Sequence, residues 1–128
     1  MSSNIEVEKI GQIAIAITDL NKSVPFYRDI LGLELLFEVP SGLAFFNCAG
    51  TRLMLTTLQG KEEDHKTSVI YYKVADIHRS TGLLKSKGVN FEREPQMAAK
   101  MEDHDLWIGF LRDPDHNLIG LMAEIPFE

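Results

Sequence analysis

The sequence predicts an α+β domain: two tandem βαβββ units forming a curled mixed sheet with the helices on its convex side. Three observations predict it. A strand-like run ending in Asp occurs twice, at residues 13–20 (IAIAITDL) and 70–77 (IYYKVADI). Each run leads into a helical stretch closed by glycine, Gly32 lying 13 residues after Asp19 and Gly88 lying 12 after Asp76. Each glycine is then followed by further strand-like runs. The two copies are offset by about 57 residues, which is too long for a solenoid of only two repeats and fits a duplicated unit.

The elements follow in order. In the first strand Ile13, Ile15 and Ile17 alternate with Gln12, Ala14 and Ala16, so one face is strongly apolar and the other small or polar. Asp19 is placed to cap the next helix by accepting backbone N–H groups. Leu20, Val24, Tyr27 and Leu31 recur at three- and four-residue steps and form the helix face that covers the isoleucines. Pro25 sits deep in this stretch and should kink the helix or delay its start. Three strands are expected next, over 34–39, 43–48 and 52–57. Residues 59–66 (QGKEEDHK) are polar and aperiodic and read as the linker between a first unit of about 10–58 and a second of about 67–125. In the second unit Ile70, Tyr72 and Val74 face one way and Val69, Tyr71 and Lys73 the other. Asp76 caps a helix carrying Ile77, Thr81 and Leu84 that ends on Lys85 and Lys87 before Gly88. Strands over 90–94, 106–112 and 118–124 complete the plan.

Composition narrows the function. A chain of 128 residues fits one domain (1–128), which buries roughly two-thirds of its unfolded-state surface. The net charge of -6 and the lack of any basic run argue against a nucleic-acid partner. No apolar stretch approaches the roughly 20 residues of a membrane-spanning helix. Residues 1–9 lack the basic-then-apolar pattern of a signal peptide. Cys48 is the only cysteine, so no intramolecular disulfide can form, in keeping with a reducing, cytoplasmic setting. It lies at an apolar strand end and reads as a small buried hydrophobe.

Residues 26–33 (FYRDILGL) resemble the FY…LG signature that follows the first strand in the glyoxalase/bleomycin-resistance/extradiol dioxygenase (vicinal oxygen chelate) superfamily. Residues 113–117 (DPDHN) resemble the DPDGN turn before that superfamily's last strand, with His116 in the place of the glycine. Histidine tolerates positive φ better than most residues. The resemblance runs from about Ile10 to Glu124. It implies a concave sheet face holding the active site, and a homodimer. It also implies four strand positions for a metal, which fall here on Gln12, Met54, Val69 and Gly120. Only Gln12 has a donor for a hard cation, so no metal is expected at these positions.

Other residues could carry chemistry. Glu102, Asp103 and Asp105 flank His104, and a carboxylate beside an imidazole fixes its tautomer and raises its basicity. Strand parity puts Gln12, Tyr71, Lys73, Met122 and Glu124 on the cavity face. His104 and Glu124 are therefore the candidate catalytic pair, and with Gln12 they could form a shifted acid–base or divalent-metal site. The competing reading makes 102–105 a solvated turn and Glu124 a surface carboxylate. Arg52, of the same parity as Met54, could pair with an anionic substrate group. Trp107, like Phe45, Phe46, Phe110 and Tyr71, is an aromatic on a strand that could wall the pocket. His65 and His78 read as surface residues. The expected function is a metal-independent protein that binds a small apolar or aromatic molecule. The alternatives are a lyase, isomerase or dioxygenase using the shifted site, and a structural dimer without ligand.

Overall fold

The structure, a computed structural model, describes residue 6 and residues 8–40, 42–57 and 68–127. The expected linker at 59–66, with His65, lies outside the described residues.

The first unit comprises β1 (Gln12–Ile17), α1 (Leu20–Pro25), β2 (Glu34–Val39), β3 (Leu43–Cys48) and β4 (Thr51–Thr57). The second comprises β5 (Ile70–Lys73), α2 (Ile77–Ser86), β6 (Arg93–Lys100), β7 (His104–Arg112) and β8 (Leu118–Pro126). Instead of one continuous sheet there are two four-stranded mixed sheets, ordered β1-β4-β3-β2 and β5-β8-β7-β6. In each, the first strand of the unit runs parallel to the last and the other pairings are antiparallel. The duplication read from the sequence is therefore a duplication of topology. Among the described residues no helix is long and apolar enough to cross a membrane.

Both aspartate caps form. Asp19 accepts from the Asn21 N–H at 2.9 Å and Asp76 from the Arg79 N–H at 3.0 Å. Gly32 and Gly88 close the helical segments at φ of 78° and 89°, a region where a side chain would be strained. Pro25 acts as expected. It cannot donate to the α-helical ladder, and from Phe26 to Ile30 the chain widens into a π-helical turn, with Leu31 N–H bonded to the Phe26 carbonyl at 2.9 Å.

One boundary moves. The expected strand at 90–94 is Arg93–Lys100, which takes in Pro95. A proline is tolerated there because β6 is an edge strand of its sheet. β7 also starts earlier than expected, so His104 is a strand residue and not part of a preceding turn.

The core lies between each sheet and its helix. Ile17, Phe46, Leu53 and Leu55 meet Val24, Phe26 and Tyr27 in the first unit. Leu111, Ile119, Leu121 and Ala123 meet Ile77 and Leu84 in the second. The alternate residues of the same strands face away from the helices, and the candidate side chains stand on that open face.

The two units are tied by the turn at 113–117. Asp113 is only 4% exposed. Its carboxylate accepts from the Tyr27 hydroxyl (2.8 Å), from the Asp115 and Asn117 backbone N–H groups (2.9 and 2.8 Å) and from the Asn117 amide (2.8 Å). Asp115 accepts from the N–H and hydroxyl of Thr18, and Asn117 donates to the Ala16 carbonyl. His116 takes φ of 65°, as its place in the turn suggests.

Candidate functional site

On the open face of the first sheet, the pairing of β1 with β4 brings Gln12 opposite Arg52, and Ala14 opposite Met54. Arg52 Nε donates to Gln12 Oε1 at 2.8 Å, and the Gln12 amide nitrogen points at Met54 Sδ, 3.6 Å away. The Arg52 guanidinium lies over the Phe45 ring, 5.5 Å from its centroid. Phe45 in turn stacks on Phe37 at 4.7 Å. Three of the sequence-predicted residues, Gln12, Arg52 and Met54, thus form one contact group.

On the open face of the second sheet, β5 and β8 set Tyr71 opposite Gly120 and Lys73 opposite Met122. The Tyr71 ring lies on Gly120 so closely that a Cβ there would be 2.4 Å from it. Phe110 meets Tyr71 edge-on at 5.9 Å. The same face carries a chain of charges. Lys73 Nζ is 2.7 Å from Glu124 Oε1, Glu124 Oε2 is 3.4 Å from His104 Nε2, and His104 Nδ1 is 2.6 Å from Asp103 Oδ1. The Lys73 hydrogen bond holds the Glu124 carboxyl below the usual carboxylate range, and the His104 hydrogen bond does the same for Asp103. His104 and Glu124 are therefore brought together, but Gln12 stands with Arg52 and not with them. Lys73, which completes the charged group, was assigned to this face but not paired with Glu124. The pairing could have been read from parallel register, because Lys73 falls opposite Met122, two residues before Glu124.

Trp107 is placed otherwise. It pairs with the buried Ala123 and lies 5.1 Å from His78 at the start of α2, so it packs under the helix and does not share the face of Met122 and Tyr71.

The four strand positions implied for a metal do not fit one. Gln12 is engaged by Arg52, Met54 offers a thioether, Val69 has no donor, and the Tyr71 ring covers Gly120 where a ligating side chain would project. Among the described residues no three His, Cys, Asp or Glu side chains are grouped so as to hold a metal ion.

A cavity of about 570 Å³ opens elsewhere, between the two units on the helix side. Leu31, Leu33, Leu53, Leu84 and Leu121 line it with Cys48 and Tyr72. Among the described residues the buried Tyr72 hydroxyl has no hydrogen-bond partner, and burial, with Cys48 and Asp113 nearby, pushes its pKa up. Of the residues assigned to the sheet's cavity face, Tyr71 and Lys73 touch this space.

Comparison with known proteins agrees with this architecture. Residues 9–121 match the family model of the Glyoxalase/Bleomycin resistance protein/Dioxygenase superfamily. The chain is 32% identical over 129 residues to the uncharacterized protein YraH of Bacillus subtilis, covering 88% of this chain and 96% of that one. It is 32% identical over 126 residues to a probable lactoylglutathione lyase of Vibrio parahaemolyticus, covering 89% of each. A solved superfamily member from Sphaerobacter thermophilus superposes with a TM-score of 0.76 at 23% identity, over 94% of this chain and all of that one, which shows the fold. With its duplicated βαβββ plan and the family match across most of its length, the chain belongs to the Glyoxalase/Bleomycin resistance protein/Dioxygenase superfamily.

Proposed function

We propose that this protein binds a small apolar or aromatic molecule on the open sheet face and that it does so without the superfamily's four-strand metal centre. The observation that carries the reading is the way the four positions are filled. Gln12 is committed to Arg52 and Met54, and the Tyr71 ring covers Gly120. These contacts replace a polar ligand set with apolar side chains, Met54 and Phe45 on the first sheet and Tyr71 and Phe110 on the second, the character expected of a small-molecule site. The relative named as a probable lactoylglutathione lyase lends no activity to this chain, because three of the four positions here lack a hard donor.

The test is a thermal-shift screen of neutral aromatic compounds, combined with elemental analysis of the purified protein. The expected result is one or more compounds that raise the unfolding midpoint of the wild type, with a reduced effect in Tyr71→Ala and an unchanged effect in His78→Ala. A stoichiometric metal held by Gln12, Met54, Val69 and Gly120 would sink the reading.

A second reading rests on the spacing of His104 between Asp103 and Glu124. The Asp103 contact orients the imidazole, and Glu124 faces its other nitrogen, which is the arrangement of an acid–base group. Under this reading His104→Gln abolishes a turnover that Gln12→Ala leaves intact.

We also propose that the protein is a homodimer. Leu36 is 46% exposed, and Met97 and Met101 are exposed too, which is the kind of apolar surface that a partner covers. Light scattering is expected to give twice the chain mass. A single-chain mass across a wide concentration range would refute this.

A further inference from the structure

We infer that the molecule bound on the open face carries an anionic group, and that Arg52 is its receptor. The inference rests on the proposal that this face is a binding surface, and it names the chemical class: an aryl carboxylate.

A row of polar side chains crosses the first sheet. The Cα register aligns Glu34 with Asn47, Asn47 with Arg52, and Arg52 with Gln12. Within this row two hydrogen bonds are made. Asn47 donates its amide to Glu34 at 3.1 Å, and Arg52 donates Nε to Gln12 at 2.8 Å. Glu34 is thus satisfied by an amide and does not pair with the arginine. Among the described residues no carboxylate lies within ion-pair distance of Arg52, a trait it shares with Lys9, Lys22, Arg79, Lys87 and Arg93, whereas Arg28, Lys73, Lys85, Lys100 and Arg112 each have one.

The consequence is a guanidinium fixed at one nitrogen. Gln12 holds Nε, Gln12 itself is steadied by Met54, and the plane rests over Phe45. No hydrogen bond from Nη1 or Nη2 is made among the described residues. Those two nitrogens are the fork that meets the two oxygens of a carboxylate. The Phe45–Phe37 pair, its rings tilted by 30°, lies beside this fork and provides an apolar surface for a ring. Among the described residues Arg52 is the one arginine that lies over an aromatic ring, and an anionic group is the partner that its two uncommitted nitrogens fit there.

The probes are 2-naphthoate and its neutral isostere 2-naphthamide, titrated calorimetrically into wild type, Arg52→Gln and Phe45→Leu. Arg52 is exposed, so its replacement should leave the unfolding midpoint in place. The acid is expected to bind about 10-fold more tightly than the amide, the usual scale of a charge-assisted bidentate contact. That advantage should vanish in Arg52→Gln, while Phe45→Leu weakens both compounds. If acid and amide bind equally, or if Arg52→Gln keeps the advantage, the assignment of Arg52 is overturned, while the amide's binding and its loss in Phe45→Leu still support the binding face. If neither compound binds, both readings fall.

Discussion

Asp113→Ala is expected to bring the domain close to unfolding at neutral pH. The buried carboxylate accepts four hydrogen bonds, one of them from Tyr27 in the other unit. Alanine leaves the buried Tyr27 hydroxyl and the Asp115 and Asn117 backbone N–H groups without their acceptor and loosens the turn that joins the units. Such a loss costs about 3–5 kcal/mol. The whole stability of a domain this size is only about 5–15 kcal/mol. The urea midpoint of Asp113→Ala should therefore fall sharply, and that of Tyr27→Phe by less, since it removes one bond and keeps the ring. A midpoint for Asp113→Ala close to wild type would show that the turn does not join the units. The same pair gives a pH dependence. Burial, with the Asp113 carboxylate next in effect, pushes the Tyr27 phenol far above its ordinary value. The unfolded chain loses that proton near pH 10 while the folded chain keeps it. The stability from the protonated phenol is complete below about pH 10 and declines as the pH rises further, a decline that Tyr27→Phe should reduce.

The second large effect is expected of Leu55→Asp. Leu55 is 0% exposed in β4, a central strand whose register sets it between Ile15 and Ala44. A carboxylate there has no partner within the core of Ile17, Phe46 and Leu53. Its burial costs several kcal/mol, comparable with the entire stability of the domain. No cooperative unfolding transition is expected for this variant by circular dichroism. The exposed Arg52→Gln should unfold as the wild type does. If Leu55→Asp unfolds like wild type, then the apolar face of the first sheet has been assigned to the wrong side.

The sequence by itself determined the duplicated βαβββ plan, because strand alternation, aspartate caps and terminal glycines are local signals whose physics needs no tertiary partner. Period-two alternation assigned Gln12, Ala14 and Ala16 to one face and the isoleucines to the other. It also put Tyr71, Met122 and Glu124 on a common face with Lys73. The donor chemistry of Gln12, Met54, Val69 and Gly120 was likewise legible as residue types. Tertiary structure decided what depends on how strands lie beside one another. Parallel register set Tyr71 on Gly120 and Lys73 beside Glu124, and set Arg52 against Gln12 instead of leaving Gln12 with His104. It also turned Trp107 under α2, because its neighbour across the ladder is the buried Ala123 and not a residue of the open face. The turn at 113–117 was visible as a motif, but its hold on Tyr27, Thr18 and Ala16 joins residues roughly a hundred positions apart. Contacts of that kind arise from the packing of one unit on the other, which no local pattern encodes.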